Sequence, residues 1–298
     1  HYVSTPGMVM DRDVASAAVG DGYDEYLDVE LQLPTADRPA FAADVARRLE
    51  DEAASLPADV HTVIVSSEHL HSRLVDLGKV RRLADLIAPF GDRVEVLCYL
   101  RPQTELVTSH YSTRLRMGET RSLDEVGASL LRNDVAYGDY LGMLDRFAAV
   151  FGEEAVTIRV YGREHLSGGD IVDDFAMTIG LDAELLPGVE DLGRRNTSIS
   201  SSGQDVLRAL NRRLDDLDPK ADPVALAAMI ARSFPGRGDR LSDEMLARAR
   251  QEFEADNEQI RRRWRPDLPT LFPSEPDRSP PAGADRHSGR PAERVHLS

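Results

Sequence analysis

The sequence predicts an α/β fold: three layers, with a central parallel sheet between helices and a helical C-terminal part. Three observations predict it. Short apolar, β-branched runs near 62–66, 94–100 and 155–160 alternate with helical patterns between Thr62 and Leu181. The links are short, and β–α–β steps of that kind imply parallel strands joined by right-handed crossovers. Each run also ends on polar residues, at the edge where open α/β sheets bind ligands.

The elements follow in order. Residues 1–36 read as irregular and partly polar. From Pro39 to Leu56 the pattern is an amphipathic helix, with Phe41, Val45, Leu49 and Ala53 at helical spacing. Val63, Ile64 and Val65 suit a buried strand, which ends on Ser66, Ser67, Glu68 and His69. Val80 to Ala88 is a further helix, and the next strand stops at Arg101. Pro102 opens a helix there, because its missing N–H would be unpaired at the first helical position. Residues 114–126 form a charged stretch around Gly118, expected to lie over the pocket, and Tyr137 to Phe151 is helical. Val156 to Val160 is a strand ending on Tyr161, and Ile171, Val172, Phe175, Ala176 and Ile179 give the next helix. Ser200 to Ser202 read first as a helix N-cap. Beyond them the pattern is only helix, over 203–216, 222–233 and 242–263, read as a cover for the sheet. Residues 1–272 make one domain, and 273–298, rich in Pro, Ser, Arg, Asp and Gly, compose a disordered tail.

The stretch Val94–Leu115 carries the chemistry. Arg101 sits where a strand stops, beside a helix N-terminus with free N–H groups and a positive dipole end, and Ser109 and Tyr111 follow two turns on. Guanidinium, hydroxyl and helix start together suit a phosphate ester. On the residues alone, an ordinary surface arginine in a strand-to-helix turn is the competing reading.

This spacing resembles the nucleotide-binding segment of sulfotransferases, in which a strand ends in Arg, Ser comes eight residues later and an aromatic two further on. The resemblance extends over roughly Val63 to Phe272. It implies a P-loop NTPase-like sheet and the co-substrate 3′-phosphoadenosine 5′-phosphosulfate, with its 3′-phosphate on Arg101 and Ser109. It implies a base at the end of the strand before: Glu68 in the Ser-Ser-Glu pattern of bacterial relatives, with His69 as second choice. A carboxylate or an imidazole serves if position and pKa are right. A cap or an arginine partner is the other role open to Glu68. The resemblance places Tyr161 by the adenine, although the turn here reads Tyr-Gly-Arg-Glu and a strand-end tyrosine also serves as packing with a wet hydroxyl. It gives Asn196 and Ser198, in a basic loop with Arg194 and Arg195, a ligand contact. The family's Arg-Lys-Gly signature is absent.

One departure is large. The family opens with a strand and a Gly-rich, Lys-bearing loop that cradles the phosphosulfate, through backbone N–H groups and the lysine. The only lysines are Lys79 and Lys220, and neither follows such a turn. Residues 1–30 resemble material that follows the loop. A chain starting downstream of the loop is the expectation, and a relative that has lost donor activation is the alternative.

Composition sets limits. Hydrophobic residues make up 41% of 298, enough for a substantial core. No apolar run reaches about 18 residues, the length of a membrane span. The single Cys98 excludes an internal disulfide, and the eight scattered histidines show no zinc spacing, so no metal is expected. A net charge of −16 disfavours nucleic acid and anionic membranes as partners. Arginine-rich basic charge with frequent Ala and Asp fits a GC-rich bacterial genome and a cytoplasmic protein.

The expected function is therefore sulfuryl transfer to a hydroxyl of a glycan or small alcohol. A non-catalytic nucleotide- or glycan-binding relative is the second reading. A P-loop kinase would want a Mg²⁺-holding aspartate at a strand end, where Ser-Ser-Glu stands instead.

Overall fold

A computed structural model describes residues 1–3, 12–132, 136–162, 164–181, 198–213 and 222–273. It is mostly helical around a small parallel sheet. Strand β1 (Val96–Leu100) pairs in parallel with β2 (Val156–Val160), Val96 opposite Val156 and Leu100 opposite Val160. Val156, Ile158 and Val160 are buried at every second position, as a strand packed on one face requires.

Among the described residues, the expected third strand is seen as one isolated bridge. Ile64 makes a single parallel bridge to Tyr2, through Val3 N–H to Ile64 O at 2.9 Å and Ile64 N–H to His1 O at 2.8 Å. Val63 and Val65, on either side of the bridge, pack on the first of the two cores. Residues 1–36 are not simply irregular either. Helix α1 (Arg12–Val19) is buried along most of its length, and a π-helical turn spans Tyr26–Glu30. The Arg82 side chain donates to the Ala18 and Val19 carbonyls, at 2.9 and 2.8 Å, and so caps the C-terminus of α1.

Helices α2 (Arg38–Ser55), α3 (His69–Arg73) and α4 (Leu77–Ile87) precede β1. Asp76 caps α4 by accepting from Lys79 N–H at 3.0 Å. Helix α5 (Gln103–Arg116) leaves β1, with Pro102 one position earlier than expected, as the N-cap. Helix α6 (Leu123–Leu130) starts in a capping box between Ser122 and Glu125, so residues 114–126 are mostly the end of one helix and the start of another. Helix α7 (Tyr140–Phe151) leads into β2, and α8 (Ile171–Thr178) follows it. Helices α9 (Ser201–Asn211), α10 (Pro223–Ser233) and α11 (Asp243–Trp264) complete the chain described.

The described residues form two apolar cores. One joins α1, α2, α4 and α7 to the sheet, through Val14, Leu49, Val80, Leu144 and Ile158. The other packs Val107, Tyr111 and Leu115 of α5 against Val126, Leu207 and Phe253. The C-terminal helices are thus more than a cover for the sheet, because they bury the flank of α5. Helix α5 is the shared wall: Gln103, Val107, Tyr111 and Leu115, four residues apart, are buried, and its other face is open.

Candidate functional site: the cleft along helix α5

The parallel sheet brings the C-terminal ends of both strands to one edge. Tyr161 N–H donates to Leu100 O at 2.6 Å, and the Arg101 carbonyl accepts from the Tyr140 hydroxyl at 3.1 Å. The backbone of Arg101 is therefore held from below by a buried tyrosine. Arg101 lines a cleft of about 640 Å³ that runs along the open face of α5.

Arg101 and Ser109 line the same cleft, and Ser198 lines it from across the gap. Helical spacing places Thr104, Thr108 and Ser112 on the same wall. The opposite wall is the start of α9 and the loop 236–241. Ile199 and Pro235 form an antiparallel bridge, and Ser200 N–H bonds to Phe234 O at 2.8 Å. Ser200 is the N-cap of α9, accepting from Gly203 N–H at 3.3 Å. Gly203 is needed there, since a Cβ would come within 2.6 Å of Phe234. Asp239 N–H donates to Gln204 Oε1 at 2.9 Å and the Ser201 hydroxyl donates to the Asp239 carboxylate, which fixes the loop carrying Arg240.

The cleft contrasts with the rest of the chain. Its lining holds Arg101, Arg116 and Arg240 against Glu105 and Asp239, in a protein of net charge −16.

Glu68 and His69 lie outside this lining. Glu68 is exposed at the N-cap of α3, yet its side chain makes no capping bond there. His69 N–H bonds to the Ser67 hydroxyl at 3.3 Å, and burial, helped by Arg73 and Arg12, pushes the His69 ring below its usual pKa. Tyr161 is 44% exposed and also outside the cleft lining. Asn196 lies outside the described residues, as does the tail beyond 273. Tyr111, the aromatic of the motif, is fully buried. Its hydroxyl accepts from Arg208 at 2.6 Å and donates to Arg121 O at 3.2 Å, so it is a wall post and not a ligand contact.

Sequence reasoning missed Arg116, Gln204 and Arg240. Thr104, Thr108 and Ser112 recur at four-residue spacing beyond Arg101, a signal that would have found one wall, whereas the loop wall has no sequence link to α5. It also passed over His71. That ring packs edge-on to Tyr137 at 5.6 Å and beside Tyr140 at 5.8 Å, and its Nε2 is buried without a partner among the described residues. Burial pushes His71 down to about 4, against a backbone hydrogen bond at Ala136, with Arg146 and Arg101 adding to the shift. Burial also pushes the Cys98 thiol up to about 12, so it is inert. No cluster of His, Cys, Asp or Glu among the described residues is arranged to hold a metal ion. Among the described residues, no helix is long and apolar enough to cross a membrane.

Comparison with known proteins adds little. No family model matches the chain, and no solved structure matches it. It is similar to an uncharacterized protein of Archaeoglobus fulgidus, 25% identical over 155 residues. That stretch is 51% of this chain and 39% of the relative, so the chain matches well under half of the relative's length.

Proposed function

We propose that the chain is a sulfotransferase that moves a sulfuryl group from 3′-phosphoadenosine 5′-phosphosulfate to a hydroxyl of a glycan or small alcohol. The single observation that supports this reading is that Arg101 and Ser109, eight residues apart, line one cleft at the end of a parallel strand. A fork-shaped guanidinium and a hydroxyl beside a helix start suit a 3′-phosphate. The finer architecture belongs to the same proposal: a three-layer P-loop NTPase-type sheet in which the Tyr2–Ile64 bridge is the beginning of further parallel pairing.

In the reaction, the acceptor oxygen attacks sulfur in line. Its proton passes to the Glu68 carboxylate, with His69 as second choice, as the new O–S bond forms. The bond from sulfur to the phosphate oxygen breaks and adenosine 3′,5′-bisphosphate leaves. Protein donors stabilise that leaving group, and Ser198, Tyr161 and Asn196 are proposed contacts to the nucleotide. A non-catalytic nucleotide- or glycan-binding protein is the second reading. It is favoured by one observation, that Glu68 and His69 do not line the cleft that holds Arg101.

Calorimetry with adenosine 3′,5′-bisphosphate tests the site. Arg101→Ala is expected to cost about 2–3 kcal/mol of binding, the scale of a charge-assisted contact. Equal binding by wild type and variant would remove the nucleotide from this cleft.

A further inference from the structure

The wall opposite α5 carries a buried amide with one end tied and the other free. Gln204 stands at the end of the first turn of α9, is 3% exposed and lines the cleft. Asp239 N–H donates to its Oε1 at 2.9 Å. A backbone N–H can only donate, so the amide oxygen faces the loop and Nε2 is the atom left over. That nitrogen has no hydrogen-bond partner among the described residues. It lies against Gly238, also in the lining, where a Cβ would collide with it.

Helix register places Gln204 across from the motif. Arg208 Nη1 donates to Tyr111 Oη at 2.6 Å, and Asn211 Nδ2 donates to Leu115 O at 2.8 Å. Helices α9 and α5 therefore run side by side in the same direction. One turn before Arg208 stands Gln204, and one turn before Tyr111 stand Val107 and Thr108. The loop agrees with this placement. Leu241, two residues after Asp239, shares the second core with Val107, and a Cβ on Gly127 would lie 2.9 Å from Leu241 Cδ2 and 3.7 Å from Val107 Cγ1. Gln204 thus faces the first half of α5, where Thr104, Thr108 and Ser109 line the cleft. Arg101 lines it at that same end, just before the Pro102 N-cap.

The donors there are of one kind. Thr108 Oγ1 donates to Thr104 O at 2.8 Å, so its hydrogen is taken up by its own helix. Arg101 meets the protein through its carbonyl, which accepts from Tyr140, and its guanidinium makes no hydrogen bond or ion pair among the described residues. Guanidinium and Nε2 share a property: both donate and neither accepts. Donors on two facing walls match a group whose oxygens only accept, such as a phosphate monoester dianion. An oxygen that carries its own hydrogen satisfies them less well.

We infer that Gln204 is a specificity-determining residue of this cleft: its Nε2 donates to the phosphate monoester that Arg101 and Ser109 hold from the other wall. The inference rests on the reading that those two residues hold a phosphate, and it does not require the transfer reaction. Asp239 is the positioning residue. Without its N–H on Oε1 the amide could turn over and present an acceptor to the anion.

The test is calorimetry on the full chain, with adenosine 3′,5′-bisphosphate and phenyl phosphate as separate probes. Gln204→Met keeps the length and removes both ends of the amide. Gln204→Glu keeps the acceptor for Asp239 N–H and replaces the donor with a charge of the ligand's own sign. Affinity for both probes is expected to fall in the order wild type, Gln204→Met, Gln204→Glu. The first step should be about tenfold, and the second at least about tenfold more. If Gln204 only holds the loop, Gln204→Glu binds like wild type and Gln204→Met binds worst, and that order overturns the inference. Thermal melts check folding, and if Gln204→Met does not fold, Gln204→Glu against wild type decides alone. Nucleotide binding that depends on Arg101 and is weakened by neither Gln204 variant overturns the inference and keeps the sulfotransferase reading. Phenyl phosphate binding that depends on Arg101 and Gln204, with no nucleotide binding, sinks the sulfotransferase reading and keeps the inference. A wild-type protein that binds neither probe overturns both.

Discussion

Gln103 and Asn257 hydrogen-bond to one another in both directions, Gln103 Nε2 to Asn257 Oδ1 at 2.9 Å and Asn257 Nδ2 to Gln103 Oε1 at 3.1 Å. They lie 154 residues apart, and Gln103 is 5% exposed. The pair fixes the first turn of α5 against α11 and so sets where Arg101 and Thr104 enter the cleft.

Asn257→Leu should therefore do two things. It leaves the buried Gln103 amide unpaired, which costs about 1–3 kcal/mol. It should also weaken anion binding at Arg101 without touching the ligand. Urea unfolding and calorimetry measure the two effects. A variant with wild-type stability would show that the amide pair contributes nothing.

Asp174 is a second buried junction. It accepts from Tyr99 Oη at 2.8 Å, Arg159 Nε at 2.9 Å and Ser167 N–H at 2.9 Å, and is fully buried. Burial works against its charge, but Arg159, the Ser167 N–H and Tyr99 hold its carboxyl well below the usual range. Asp174→Ala leaves Arg159 without its partner and should cost about 3 kcal/mol in urea unfolding. A loss under about 1 kcal/mol, the scale of an exposed ion pair, would contradict this.

His71 gives the pH dependence. Its folded pKa of about 4 lies below the ordinary value of 6.5, so the unfolded chain takes up the proton first as pH falls. The contribution is fully present above about pH 6.5 and is lost as pH drops toward 4, by about 3 kcal/mol in all. His71→Leu should flatten the stability curve between pH 6.5 and 4 relative to wild type. Parallel curves for the two proteins would show that the ring is already accessible to protons in the folded state.

Glu68 tests the chemistry of the proposed reaction. Glu68→Gln keeps shape and removes basicity, so turnover with 3′-phosphoadenosine 5′-phosphosulfate should fall about 10²–10⁴-fold with nucleotide binding nearly intact. Undiminished turnover would pass the role to His69 or to water. A collapse of folding would mark Glu68 as a structural residue.

The sequence by itself determined the local elements. The 3.6-residue spacing of Val45 and Leu49 gave α2, and the β-branched run at Val156–Val160 gave β2, with the parallel direction that a helical crossover between strands allows. The order of strand end, proline and helix was legible too, with Arg101 just after β1 and Ser109 inside α5. Only the tertiary structure decided the rest. Among the described residues, Val63–Val65 pairs with the start of the chain through one bridge at Ile64, a partner that periodicity does not name. The far wall of the cleft, with Gln204 and Arg240, comes from residues some hundred positions beyond α5, held there by the second core and by the bonds from Asp239 to Gln204 and Ser201. Periodicity reports which face of a helix is apolar. It carries no information on which distant element will cover that face, and packing of whole surfaces makes that choice.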